Sequence, residues 1–358
     1  MQRGAPDPPL LARSPSMSAE IGPDERALAA PSRPALEALA AARDAPRPLV
    51  DLTALTCERM LAPATPRLAR IYRQQIERDR WPDFAAFDHA RYPLDLRRDA
   101  ACHWARRAVA EYGSVHQFSA LTRALAEARI GLELLGPLAR LLTDELRHAE
   151  LCARMALVID PEGPTASPRE FAWPAPLAPW PDAPSGDHDA ILTWAAGVIL
   201  IACCLGETLS RPLYDALIVV CTDPVAEAVL RQIQRDEHLH AAFGWDALAT
   251  LWPALAPAGR AALQERLRLA LGGFEATTAC GRTIDMIAGS ELEITRGEAP
   301  NLGTLEAHHY AVIFFSTVER ELFPALRAIG LDPAAAWAAR PLARRTISEE
   351  PGPTQTAS

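Results

Sequence analysis

At 358 residues, 49% of them hydrophobic, the chain is long enough for a sizeable core in one large domain or two small ones. Aromatics make up only 6% while Ala and Leu abound, which favours helices over sheets. A formal net charge of -9 without any basic cluster excludes a nucleic-acid surface, which needs Lys and Arg to displace counterions.

Residues 1–48 are rich in Pro, Ala and Arg with little apolar periodicity and read as a disordered leader, with Met17 as an alternative start to Met1. No apolar secretory signal is found there. The seven cysteines include no Cys-x-x-Cys pair, so reduced thiols in a cytoplasmic protein are expected. Residues 49–93 read as an extension with helical patterns at 49–61 and 66–80, followed by a loop carrying Phe84, Phe87, His89 and Tyr92. In the second pattern Leu68, Ile71, Tyr72 and Ile76 share one face.

A domain of four long helices is expected over 94–252. The first runs over 94–128 and the second over 132–159. Residues 160–189 are rich in proline, carry two tryptophans and cannot be helical, so they read as a long crossover. The third helix begins near 190 and is apolar from 191 to 206 except for Thr193. That is just short of a membrane span and is followed at once by Glu207, so a central helix is expected and no membrane insertion. Asp223-Pro224 opens the fourth helix. Helical patterns at 257–272 and 304–330 place further helices within 253–340, packed on the first four, and 341–358 reads as a disordered tail.

Two short stretches organise the rest: Asp144-Glu145-Leu146-Arg147-His148, and Asp236-Glu237-His238-Leu239-His240. Residues i and i+3 of a helix share a face, so Glu145 with His148, and Glu237 with His240, can each aim a carboxylate and an imidazole at one centre. Glu111 lies thirty-four residues before Glu145, and Glu207 thirty before Glu237. Two antiparallel helices joined by a short turn bring together residues equally far from it. Glu207 and Glu237 would each sit about 21 Å from the turn near 221–224, and Glu111 and Glu145 are placed similarly about a turn near 128–131. Four glutamates and two histidines therefore reach one layer. Surface ion pairing is the bland alternative, but burying four carboxylates next to an apolar run without cations would cost several kcal/mol each. A third pair, Glu306 with His309, is set aside because Gly and acidic residues break the pattern between it and Glu275.

This constellation resembles the ferritin-like superfamily of di-iron and di-manganese carboxylate proteins, in particular its members with two Glu-x-x-His motifs, among them bacterioferritins, rubrerythrins and bacterial di-iron oxidases and oxygenases. The segments 104–118 (WARRAVAEYGSVHQF), 144–152 (DELRHAELC) and 236–245 (DEHLHAAFGW) look like a bacterial group within it, the resemblance covering about 101–251. It implies an all-α, ferritin-like four-helix bundle whose crossover joins helices 2 and 3, with extra N- and C-terminal helices. It also implies Glu111, Glu145, His148, Glu207, Glu237 and His240 as ligands of two Fe ions, or of Fe with Mn, as this oxygen-rich donor set suits. Asp144 and Asp236 are candidates to hold the free ring nitrogens of the two histidines, within a helix or across the bundle, and Arg147 to pair with these acids. Cys152 stands one turn past His148, where radical-bearing ribonucleotide reductase subunits carry a tyrosine and some multicomponent monooxygenases a cysteine. Ile233 stands where the arylamine N-oxygenases of the superfamily have an additional histidine ligand. The missing Cys-x-x-Cys pairs exclude a rubredoxin-type centre.

The expected activity is that of a di-metal oxidase or oxygenase acting on a small organic molecule. The alternatives are a ferroxidase or iron-binding protein, and a non-catalytic bundle with a structural metal. No Gly-rich dinucleotide fingerprint occurs, so an electron-donor protein or the substrate itself would supply electrons. The substrate and the oligomeric state stay open.

Overall fold

Runs of Ala, Leu and charged residues give a chain whose regular elements are all helical among the described residues. The computed structural model describes residues 56–62, 65–77, 81–161, 182–287 and 294–341. Contacts separate Met1–Leu49 from Val50–Ser358, and the first of these units lies outside the described residues. The expected leader, most of the expected crossover and nearly all of the expected tail lie outside them too.

Helix α1 (Cys57–Met60) and helix α2 (Pro66–Ile76) are short; Thr56 and Thr65 cap them by accepting from Arg59 N (3.3 Å) and Leu68 N (3.2 Å). Of the pattern expected at 49–61 only α1 falls within the described residues. The pattern at 66–80 ends at Ile76, where Glu77 turns extended (ψ 126°). Four long helices follow: α3 (Leu94–Glu127), α4 (Leu132–Ile159), α5 (His188–Val220) and α6 (Pro224–Leu251). The α3–α4 turn places Arg129 at φ 57°, and Asp223 caps α6 by accepting from Val225 N (2.9 Å) and Ala226 N (2.8 Å), with Pro224 in the first turn where its missing N–H costs nothing. The outer elements are α7 (Pro257–Thr278), α8 (Ile284–Ile287), the continuous α9 (307–329) and α10 (Pro333–Ala338).

The long helices form a bundle-like group: α3 lies along α4, α5 along α6, α4 against α6, and α3 against the first part of α5. Two apolar clusters fill it. One is built from Phe118, Leu121, Leu138, Leu141, Leu200, Leu248 and their neighbours; the other includes Trp104, Leu151, Met155, Leu217, Val229 and Ile233. Between them runs a polar layer.

In α5 the residues Ile199–Gly206 widen into a π-helical stretch that ends at Glu207. The wide turn fits because α6 presents Gly244 there: a Cβ at that position would lie 2.7 Å from both the carbonyl carbon and the Cβ of Cys203. Helix α5 is long and apolar enough to cross a membrane, but 67% of its most apolar window is buried inside the protein, as befits a core helix. The C-terminal helices pack on this group through α9 on α5 and α7 on α5. The connector before α9 is pinned to α3, where Trp104 Nε1 donates to Leu302 O (2.9 Å) and Arg107 Nη2 to Gly303 O (2.7 Å).

Candidate metal centre

The polar layer is where the four helices deliver six side chains: Glu111 from α3, Glu145 and His148 from α4, Glu207 from α5, Glu237 and His240 from α6. In α4 and α6 the i, i+3 spacing puts carboxylate and imidazole on the inward face, and both histidines are fully buried. The hairpin arithmetic brings Glu111 and Glu207 to the same height. Glu111, Glu145 and His148 form one group whose donor atoms lie within 4.8 Å of one another, and Glu145, Glu207 and His240 form a second. Glu145 belongs to both. Glu237 spans them, with Oε1 3.6 Å from His148 Nδ1 and Oε2 4.0 Å from His240 Nδ1.

The two imidazoles are arranged alike. His148 Nδ1 faces Glu111 Oε2 at 3.7 Å while its Nε2 faces Asp236 Oδ2 at 3.3 Å; His240 Nδ1 faces Glu145 Oε1 at 3.1 Å and Glu207 Oε1 at 3.8 Å, while its Nε2 faces Asp144 Oδ2 at 3.6 Å. Each aspartate therefore serves the histidine of the opposite helix. Arg147, fully buried, ties the two aspartates together through Nη1, to Asp144 Oδ1 at 2.9 Å and Asp236 Oδ2 at 2.6 Å, and donates from Nε to Ile76 O at 2.7 Å. Arg140 adds two bonds from Nε to Asp144, at 2.8 and 2.9 Å.

Several residues at the layer escaped the sequence reading. Tyr214 donates its hydroxyl to Glu111 Oε1 at 2.9 Å, and Ser210 donates to Glu237 Oε2 at 2.7 Å. Ser210 and Tyr214 stand three and seven residues after Glu207, one and two turns along the same face, so helical periodicity from Glu207 could have found both. Cys152 is buried beside Glu111 and Arg107; burial, and then the Glu111 charge, pushes its thiol well up, so it is a neutral thiol. Cys203 is raised by burial and by Glu207 in the same way. Glu306 stands exposed at the N-cap of α9, and no donor group of the metal-ligating kind includes it or His309 among the described residues.

Electrostatics expose the strain of holding these groups together. Burial raises the carboxyls of Glu145 and Glu237 well above the ordinary carboxylate range, and their acidic neighbours raise them further. Glu111 and Glu207 go the other way: burial opposes it, but bonding to the facing imidazoles wins, bringing Glu111 to about 2. Against its burial, His148 is lifted to about 9 by Asp236 and Glu111, and His240 is raised well above its ordinary value by Asp144 and Glu145. Two carboxyls are thus pushed toward the neutral form and both imidazoles toward the charged one.

Even so, the cluster's atoms are poorly satisfied. Glu145 Oε1, His148 Nδ1 and both ring nitrogens of His240 are buried with no hydrogen-bond partner, although His240 Nδ1 and Glu145 Oε1 lie only 3.1 Å apart. Buried lone-pair atoms that converge without bonding each other, each imidazole backed through its far nitrogen by a carboxylate, are what a metal site needs. The donor set of oxygen and imidazole nitrogen fits divalent first-row transition ions, and two of them would balance four carboxylates.

Fold and layer together define an all-helical, bundle-like protein with a buried acidic and histidine cluster able to bind metal. Comparison with protein-family models, with curated proteins and with solved structures returns no match.

Proposed function

We propose that the cluster holds two iron ions, or iron with manganese, and that the chain is a ferritin-like di-metal oxidase or oxygenase, its bundle spanning 94–252, acting on a small organic molecule. One observation carries this reading: two donor groups share Glu145, each with its own histidine and its own terminal glutamate, while Glu237 points one oxygen toward each histidine. A single structural ion would not call for a duplicated set. When bound, a pair of reduced ions supplies electrons to dioxygen or peroxide and provides the oxidising power for attack on the substrate.

The chain's own residues set the terms. Asp236 takes up His148 Nε2 at 3.3 Å and Asp144 faces His240 Nε2 at 3.6 Å, so that both Nδ1 atoms are turned inward. Tyr214 and Ser210 donate to Glu111 and Glu237, fixing which carboxylate oxygens stay free. Apolar clusters on both sides keep water from the layer. Access favours the α3 and α5 side, because the side chains of Glu111 and Glu207 are 14% and 12% exposed whereas those of Glu145, His148, Glu237 and His240 reach at most 3%. A protein reductant or the substrate supplies the electrons.

The test is anaerobic reduction of the iron-loaded protein followed by rapid mixing with oxygen. A transient visible absorption that disappears in Glu145→Ala is expected. Iron that stays oxygen-inert would remove the enzyme reading and leave a structural site.

A further inference from the structure

Arg107 stands one turn before Glu111 on α3, about 6 Å along the helix axis and on the same face. Its guanidinium lies over the ring of Trp104, 4.7 Å from the centroid, and Nη2 donates to Gly303 O at 2.7 Å. Those contacts explain a structural arginine that pins the 302–303 connector. They do not explain Nη1, which is buried and has no hydrogen-bond acceptor. Nor does any carboxylate of the described residues lie within ion-pair distance of Arg107, although acidic side chains outnumber basic ones by 45 to 36. Its polar neighbours are the phenols of Tyr310 and Tyr214 and the thiol of Cys152, none of them a carboxylate. Tyr214 in turn donates to Glu111, so the unpaired cation and the cluster's more open side are connected through one phenol. A buried guanidinium is ordinarily paired, because leaving the charge unmatched away from water is costly. Arg107 is half-buried as a residue, so part of its side chain meets solvent although Nη1 itself is covered.

We propose that Arg107 is the anchor for the carboxylate of an organic substrate, which it binds through Nη1 beside Glu111 and Tyr214. The assignment of that ligand as a substrate rests on the functional reading above; the anchor itself does not. A planar guanidinium recognises a carboxylate by charge-assisted, paired N–H bonds, and no neutral group of the same shape gains as much. The organic part of the ligand would then extend along α3 toward Glu111 and Glu207, where the cluster is least covered.

The test uses the full chain and two probes of equal shape, 4-fluorobenzoate and neutral 4-fluorobenzamide, titrated by fluorine NMR, with metal content measured on the same samples. Wild-type protein should bind the acid at least about tenfold more tightly than the amide, one charge-assisted bond being worth that much or more. Arg107→Gln should erase the preference while leaving metal content and amide binding unchanged. Arg107→Lys, which keeps the charge but not the fork, should retain part of it. If Arg107→Gln does not fold, the wild-type ratio alone decides the matter. Equal affinity for acid and amide overturns the proposal, as does a preference that survives Arg107→Gln, or displacement of the benzoate by inorganic phosphate at matching concentration. Two metals per chain with no acid preference would remove the anchor alone; an Arg107-dependent preference in a chain that takes up no metal would keep the anchor and remove the metal reading.

Discussion

Arg147→Ala should be among the most damaging single substitutions in the chain, and the structure says by how much. The side chain is fully buried and makes three bonds, to Ile76 O (2.7 Å), Asp144 (2.9 Å) and Asp236 (2.6 Å). Breaking a buried ion pair by deleting one partner costs about 3–5 kcal/mol, and stranding a buried carbonyl adds about 1 kcal/mol or more. Asp144 keeps its two bonds from Arg140, which moves the sum toward the lower end. A loss of about 3–5 kcal/mol is therefore expected, a large part of the 5–15 kcal/mol typical of a whole domain. Arg140 provides the contrast: its side chain is 46% exposed, so Arg140→Ala should cost only about 1 kcal/mol or less. Urea unfolding of the metal-free protein, followed by circular dichroism, measures both. Equal and small losses for the two variants would refute the claim that Arg147 braces the layer.

Three further outcomes follow from the same geometry. Glu145→Ala and His240→Ala should lose bound metal by elemental analysis while Glu306→Ala keeps it, because Glu306 only stands exposed at the N-cap of α9; the reverse pattern would sink the ligand assignment. Gly244→Ala should drive α5 and α6 apart at Cys203, destabilising the protein by about 1–3 kcal/mol and weakening metal uptake through Glu207 one turn further on; a neutral effect on both would show that the wide turn is not held there. The metal-free protein should be most stable near pH 4.5, because the raised carboxyls of Glu145 and Glu237 cost stability as soon as pH rises above that value. Glu111, depressed from 4.5 to about 2, contributes stability that is present above 4.5 and lost as pH falls through 2. His148, raised from 6.5 to about 9, contributes stability present below 6.5 and lost as pH rises through 9, and the raised carboxyls of Glu145 and Glu237 act in the same direction. Metal loading needs those protons to leave, so uptake should strengthen with rising pH over the range in which the metal-free fold weakens; midpoints and uptake curves measured from pH 4 to 9 would expose a flat response.

The helices and the six clustered side chains were legible because both rest on spacing. Glu145 with His148 and Glu237 with His240 are three apart, and Glu111 and Glu207 lie at matched distances from tight turns, so a rigid rise per residue places them. Residues that act across helices were harder to read. Asp236 and Asp144 stand four residues before His240 and His148, which left open bonds within a helix, yet each serves the histidine of the opposite helix. Tyr214 likewise reaches Glu111 from another helix, and a tyrosine does not mark a site by itself. The π-helical stretch before Glu207 was hidden because apolar composition does not distinguish it from an ordinary turn, and its signal sits forty-one residues downstream of Cys203 at Gly244.

The most direct measurement is the number of metal ions per chain after anaerobic loading with ferrous iron and removal of excess. Two per wild-type chain, falling in Glu145→Ala to one or none because that carboxylate is shared, is the predicted result. One ion or none in a folded wild-type chain would contradict the account.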